Sequence, residues 1–195
     1  TMITVGTSFM LGHLLREQSW DPIRDFSPVT LADAGPNVLL VHPSLPVSSV
    51  KELIALAKSK PGELNYATGP PGGIVHLASE LFKSAAGVNM VSVPYKSNGL
   101  AIASLIAGET RIMIKDSGGV EPQIKAGRVR ALAVTSAQPS PLFPGLPTIA
   151  ASGLPGYEAI AVDAIVVPAK TPAFVISRLN KEIVRALNQA NVKEA

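Results

Sequence analysis

Asn65–Leu77, with the sequence NYATGPPGGIVHL, is the stretch around which the rest of the 195-residue chain is organised. It predicts a short strand ending at Thr68, then a turn of glycine and proline, then an amphipathic helix. The first N–H groups of a helix have no acceptor within it, and the helix dipole adds partial positive charge there. A carboxylate or phosphate can therefore dock on the main chain at Gly72, Gly73 and Ile74. The alternative is a turn with a purely structural role.

Strand and helix signals alternate along the whole chain. The predicted strands cover 1–5, 27–32, 37–42, 64–68, 90–93, 111–115, 130–135 and 157–167. The breaker Gly35-Pro36 separates two of them, and the last helix begins after Thr171-Pro172. We expect that helix to direct four side chains into the core, namely Ile176, Leu179, Ile183 and Leu187. This order predicts an α/β fold of parallel sheets covered by helices on both faces.

Several turns follow a strand and precede a helix, which places them at the carboxyl ends of the strands, where open α/β sheets bind ligands. We therefore expect one cleft with a shared set of ligand-binding residues. Three of these candidates also have a structural explanation: Asp116 can be a helix cap, Lys96 a solvated lysine and Tyr95 part of the core. The candidate ligand-binding residues are Thr7, Ser8, Thr68, Gly72, Gly73, Ile74, Tyr95, Lys96, Asp116 and Ser117.

Composition excludes several classes of function. The net charge of +3 is small and dispersed, which does not suit a nucleic-acid partner, and the absence of cysteine removes thiolate chemistry. His13, His42 and His76 lack the spacing of metal ligands, and no dinucleotide or P-loop motif occurs, so we expect no metal and no cofactor. The run Asp116–Gly119 is similar to the nucleophile motif of trypsin-like proteases, but the helix predicted after it rules out that fold.

Seven separate segments, in the same order along the chain, resemble the Bug family, the periplasmic substrate-binding receptors of tripartite tricarboxylate transporters. These segments are WDPIRDFSPVTL (20–31), NVLLVHPS (37–44), LNYA (64–67), HLASELF (76–82), VPYK (93–96), IKAGRVRALAVT (124–135) and SGLPGYE (152–158). The resemblance implies a type II periplasmic-binding-protein-like α/β fold of two lobes, each with a central sheet flanked by helices. It also implies a small carboxylate-containing ligand held between the lobes, membrane subunits of a transporter as partners, a periplasmic location, a monomeric state when intact and no enzymatic activity.

The resemblance further implies a division into lobe one, 1–38 and 161–195, and lobe two, 39–160. Lobe one is expected to be incomplete, because the family's first βα unit and signal peptide precede the position of Thr1 and a tail follows Ala195. The candidate residues match the family's ligand-binding loops: Thr7 and Ser8 in lobe one, and the turn after Thr68 together with Asp116 in lobe two.

Two departures from the family pattern concern the ligand. Gly73-Ile74-Val75 replaces a run of serines, and Lys115 replaces a phenylalanine. We therefore expect a ligand with one carboxylate and a more apolar or aromatic body. The alternatives are the effector-binding domain of a regulator and, as an enzyme, an α/β hydrolase.

Overall fold

A computed structural model describes residues 1–15 and 17–193 of the chain, without the side chains of 191 and 193. The strands are β1 (Ile3–Gly6), β2 (Phe26–Val41), β3 (Asn65–Thr68), β4 (Val91–Pro94), β5 (Ile112–Asp116), β6 (Arg130–Val134) and β7 (Ile160–Pro168). The helices are α1 (Thr7–Leu15), α2 (Val50–Ser59), α3 (Ile74–Ala86), α4 (Asn98–Ala107), α5 (Glu121–Lys125), α6 (Ala173–Leu187) and α7 (Ala190–Lys193). Within this described part, no helix has the length and apolar character needed to cross a membrane.

The chain divides into two compact units. Unit 1 consists of 1–34 and 161–195, and unit 2 is the continuous segment 35–160. The sequence-based boundary after Val38 remains a prediction, and residues 16, 194 and 195, assigned to lobe one, lie outside the described residues. Each unit is described by itself below.

The sheet of unit 2 has the order β4-β3-β5-β2-β6. β3 is parallel to β4 and β5, whereas β2 is antiparallel to both β5 and β6. The prediction of parallel sheets is therefore wrong for β2. This strand lies between β5 and β6, which run in one direction, and it runs in the opposite direction. An antiparallel neighbour needs no crossover helix, so the alternation of strands and helices does not reveal it.

Two apolar layers cover the two faces of this sheet. Alternate residues of β2 enter opposite layers: Leu39 and Val41 lie in one, and Val38 and Leu40 in the other. Helix α2 packs on the first layer through Leu53. Helix α4 belongs to the second layer, to which it contributes Ala101 and Leu105. Both faces of the sheet are therefore buried, as expected for an α/β fold.

The buried face of α3 is not the one that the spacing of its large apolar residues indicates. That spacing favours Leu77, Leu81, Phe82 and Ala85, but the buried residues are Val75, Ala78, Ser79, Phe82 and Ala86. Leu81 is 43% exposed. Small side chains at 78, 79 and 86 allow the helix to approach the sheet closely, and a search for large apolar residues misses that face.

β2 passes through Gly35-Pro36 without interruption, although these residues were predicted to separate two strands. The described ladders of β2 with β5 and β6 begin at Asn37 and Val38. Pro36 therefore precedes those ladders, and its missing N–H removes no bond from them.

Unit 1 contains the antiparallel pair β1 and β7, and β2 is the next strand beside β7. Its buried apolar side chains include Val5, Val29, Val166 and Val167. An aromatic cluster adds to them, in which the Phe9 ring lies 4.5 Å from the Trp20 ring and 4.9 Å from the Phe26 ring. The prediction that α6 lies in the core is wrong: the helix has no buried residue, and Ile176, Leu179, Ile183 and Leu187 are only half-buried.

Candidate functional site

Three strands of unit 2 end at the same edge of its sheet, because β3, β4 and β5 are mutually parallel. Thr68 ends β3 and Asp116 ends β5. The Tyr95 N–H, just after β4, donates to the Thr68 carbonyl at 2.8 Å. The turns 68–74, 95–98 and 116–119 therefore border one region of unit 2, which we call the carboxyl edge.

The turn before α3 has the shape expected of an anion site, but two of its main-chain N–H groups are already hydrogen-bonded within the protein. Gly72 has a positive φ of 83°, which favours glycine. Its N–H donates to Nδ1 of His76 at 3.3 Å, and the Gly73 N–H donates to the Pro70 carbonyl at 3.1 Å. Gly73 is the N-cap and supplies no side-chain cap, so the helix itself offers Ile74 N–H no acceptor. Of the three predicted amides, Ile74 is the one best placed to receive an anion directly.

Two side-chain oxygens near this edge are buried without a hydrogen-bond partner among the described residues. They are Oγ1 of Thr68 and Oδ1 of Asn37, and both residues are fully buried. Asn37 lies opposite Asp116 in the ladder of β2 with β5. Buried polar atoms are nearly always bonded, so each of these oxygens is a candidate for contact with a bound molecule.

Asp116 is held by two side chains that the sequence analysis did not assign to the site. Lys115 Nζ lies 2.9 Å from its Oδ1, and Asn98 Nδ2 lies 3.4 Å from its Oδ2. The side chain of Asn98 also covers Gly69, where a Cβ would collide with its Oδ1. Asn98 therefore links the start of α4 to the ends of β3 and β5. No local pattern marks it, because its partner Asp116 is 18 residues away.

The other predicted residues of unit 2 are also at the carboxyl edge. Tyr95 is half-buried and packs against the second apolar layer, so part of its side chain belongs to the core. Lys96 is exposed, and Ser117 is half-buried beside Gly35. Whether each of them binds a ligand remains a prediction.

A cluster on α3 fixes the helix against β3 and so positions the turn between them. The Tyr66 hydroxyl donates to Glu80, and Lys83 Nζ lies 3.0 Å from both Glu80 oxygens. Burial raises the pKa of Tyr66, and its bond to Glu80 raises it further. Burial also pushes the pKa of Glu80 upward, but the hydrogen bonds from Tyr66 and Lys83 outweigh it and leave that pKa below its usual value.

Unit 1 places Thr7 and Ser8 at the start of α1, directly after β1. Thr7 Oγ1 is buried and has no partner among the described residues. Asp163 lies opposite Gly6 in the ladder of β1 with β7, and its Oδ1 is 3.0 Å from the position of a Cβ on Gly6. Asp163 is a neighbour of this loop that the sequence analysis missed.

A serine and histidine pair relevant to the hydrolase alternative lies elsewhere. Nδ1 of His42 is 2.7 Å from Ser44 Oγ, just beyond the end of β2 that faces the start of β5. The Ser44 hydroxyl also accepts from Arg111 at 2.6 Å, and Nε2 of His42 faces Gly108 instead of a carboxylate. The pair closes a loop at the opposite edge of the sheet, and among the described residues no carboxylate is hydrogen-bonded to His42 as the acid of a catalytic triad would be. Within 1–15 and 17–193, no group of three or more potential ligands is arranged to hold a metal ion.

Comparison with protein families matches residues 1–195 to the family described as "Tripartite tricarboxylate transporter family receptor". A protein encoded in the tcbD-tcbE intergenic region of Pseudomonas sp. strain P51 is 40% identical over 173 residues, which cover 88% of this chain and 52% of that protein. Protein BugT of Bordetella pertussis is 35% identical over 173 residues, or 89% of this chain and 53% of BugT. The chain thus spans about half the length of these curated relatives.

Comparison of structures finds the same fold in R. palustris Rpa4515 with adipate. The TM-score is 0.90 at 35% sequence identity, and the match covers 98% of this chain and 65% of that chain. The expectation of a periplasmic-binding-protein-like α/β fold is confirmed.

Proposed function

The chain belongs to the tripartite tricarboxylate transporter receptor family, and from this membership we propose that it is an extracytoplasmic solute-binding receptor for a small carboxylate. The receptor takes up its ligand in the periplasm and delivers it chemically unchanged to the membrane subunits of a tripartite transporter. It is not an enzyme in this proposal.

The carboxyl edge of unit 2 is the observation that carries the proposal. It combines a helix start at Ile74 without a side-chain cap, a fully buried hydroxyl at Thr68 that has no partner within the described part of the chain, and the polar pair of Asn98 and Asp116. An anion that meets the start of α3 gains from the helix dipole and from N–H donors, each contact contributing roughly 0.3–1 kcal/mol. Several such contacts together with desolvation can reach the ~8 kcal/mol of a micromolar complex.

The side chains at this edge suit binding better than reaction. A nucleophile and its base must lie within hydrogen-bond reach of each other, with the base oriented by a third group. At the carboxyl edge, His76 Nδ1 instead accepts the Gly72 N–H, and Asp116 is paired with Lys115. These groups are occupied in holding the turns, which supports capture without chemistry.

The ligand class rests on the same edge and on one relative. The neighbour Rpa4515 is described with adipate, a dicarboxylate, and by analogy this chain also takes a carboxylate. The expectation of a single carboxylate with an apolar or aromatic body remains a prediction of the sequence.

Calorimetric titration of the full-length protein tests the proposal. The panel contains adipate, succinate, citrate, glutamate, benzoate and a neutral amide of benzoate. We expect micromolar or tighter binding of at least one carboxylate and none of the neutral amide. A protein that binds no carboxylate, or that binds the amide equally well, would contradict the proposal. Preference for citrate or a dicarboxylate over benzoate would contradict only the single-carboxylate expectation.

A further inference from the structure

Lys115 is a buried lysine, only 8% exposed, in the sheet of unit 2. Its backbone pairs with Val38 of β2, and strand alternation places it on the same side as Met113, in the layer to which Val38 also belongs. An ammonium group in such surroundings is costly unless its charge is compensated and its donors are used.

The three N–H donors of the Lys115 ammonium have three acceptors nearby. Nζ lies 2.9 Å from Oδ1 of Asp116, 2.5 Å from the Gly118 carbonyl and 3.3 Å from the Asp116 carbonyl. An ammonium group has three N–H donors, and this arrangement uses all three. Lys115 therefore has no donor left for a ligand, and all its bonds are directed at the turn 116–119.

The positive charge of Lys115 compensates the negative charge of Asp116. Its side chain is 34% exposed at the carboxyl edge, and its second oxygen, Oδ2, faces Asn98 Nδ2. An uncompensated carboxylate at this place would repel an anion approaching the start of α3. With Lys115 in contact, the pair is electrically neutral while Asp116 Oδ2 remains a hydrogen-bond acceptor.

We propose that Lys115 is a positioning residue of the ligand site: it holds the turn 116–119 and cancels the charge of Asp116, so that the carboxyl edge accepts a negatively charged ligand. This inference rests on the proposed function. It assigns Lys115 no contact with the ligand.

The test compares four forms of the full-length protein with the wild type: Lys115→Met, Asp116→Asn, the double variant, and Lys125→Met as the matched control. Lys125 is an exposed lysine that pairs with Glu121 on α5. Binding of adipate and of benzoate is measured by calorimetry at low and at high salt, and thermal unfolding verifies that each variant folds.

We expect Lys115→Met to weaken adipate binding at least about 10-fold at low salt and less at high salt, because salt screens the exposed charge of Asp116. The affinity for benzoate, which carries one charge, should fall less than the affinity for adipate. The double variant should recover to within about 3-fold of the wild type, and Lys125→Met should bind as the wild type does.

A double variant as weak as Lys115→Met, with no dependence on salt, would overturn the inference, because Lys115 would then act only through folding. If Lys115→Met does not fold, Asp116→Asn alone tests the inference. In this variant the positive charge of Lys115 is no longer cancelled, so adipate should bind more tightly at low salt. Unchanged binding in Asp116→Asn would contradict charge compensation. If the wild type binds neither adipate nor benzoate, the same comparison is made with the carboxylate of the calorimetric panel that it does bind. A wild type that binds no carboxylate of that panel counts against the proposed function itself, and the inference falls with it.

Discussion

The Asn37 N–H donates a hydrogen bond to Oγ1 of Thr135 at 2.7 Å, in the fully buried interior of unit 2. The same hydroxyl lies 2.5 Å from the Ala159 carbonyl, to which the Asn37 side-chain amide also donates at 2.8 Å. Asn37 follows the point where the chain enters unit 2, and Ala159 precedes the point where it leaves. One threonine hydroxyl thus joins both ends of the unit.

Replacement of Thr135 by valine should destabilise unit 2, because it leaves the buried Asn37 N–H without its acceptor and removes one of the two hydrogen bonds to the Ala159 carbonyl. A buried group without its hydrogen bond costs about 1–3 kcal/mol. Denaturant unfolding of Thr135→Val measures the loss, and Thr135→Ser, which keeps the hydroxyl, is the control. Equal stability of the two variants would show that the hydroxyl contributes nothing.

Ile74→Pro should weaken carboxylate binding without disrupting α3. Proline is well tolerated at the first position of a helix, and the preceding Gly73 already has the extended conformation that proline requires, with φ −72° and ψ 162°. The substitution removes the Ile74 N–H and also changes a partly buried side chain. We expect loss of the N–H to weaken affinity about 2- to 30-fold. Ile74→Ala keeps that N–H and serves as the control in the same titration. Identical affinities would exclude this amide as a ligand contact.

Asp25 should make unit 1 sensitive to acid. Hydrogen bonds from the Arg24 side chain and from the Asp21 N–H lower the pKa of its carboxyl to about 2. Since this folded-state pKa lies below the unfolded value, the stabilisation is complete above pH ~4 and is lost as the pH falls toward 2. Asp25→Asn should therefore narrow the difference in thermal stability between pH 6 and pH 2.5. Asp33→Asn, at an exposed aspartate of the same unit, is the control and should leave that difference unchanged.

Tyr66→Phe should raise the pKa of Glu80. Burial already favours the protonated form of Glu80, and the phenol supplies one of the hydrogen bonds that oppose this effect. Titration of the Glu80 carboxyl by NMR measures the change. Tyr157→Phe is the matched control, since the Tyr157 hydroxyl donates to the Ala78 carbonyl. A rise in both variants would point to general loosening of α3 instead of loss of one bond.

Amide hydrogen exchange should be faster in α6 than in α3. α6 buries no side chain, whereas α3 buries Val75, Ala78, Ser79, Phe82 and Ala86. Local opening follows the number of buried apolar contacts, so we expect protection factors lower by at least about 10-fold in α6. Comparable protection in the two helices would contradict this reading of unit 1.

Local sequence signals account for the ends of several elements. Gly87 and Gly108 end α3 and α4 with positive φ, and the Ser49 side chain accepts the Glu52 N–H at the start of α2. Relationships between distant residues were not predictable in this way. The direction of β2 depends on which strands it joins, and Asn98 has a place in the site only because β5 brings Asp116 to it.

The inward face expected for α6 shows a second limit of prediction from sequence. Its apolar spacing is helical, and the helix forms, but periodicity specifies which side chains share a face and not whether anything covers them. The anion site at the start of α3 was predicted from its glycines. The bonds that occupy Gly72 and Gly73 depend on a histidine side chain and a turn carbonyl, which no pattern of spacing reveals.

The bond from Asn37 to Ala159 has a further consequence for how this protein can be taken apart. A segment whose two ends are hydrogen-bonded neighbours is topologically an insertion, which can be excised or circularly permuted with little strain. We therefore expect residues 35–160 to fold when produced alone, so that the carboxyl edge of unit 2 can be studied by itself.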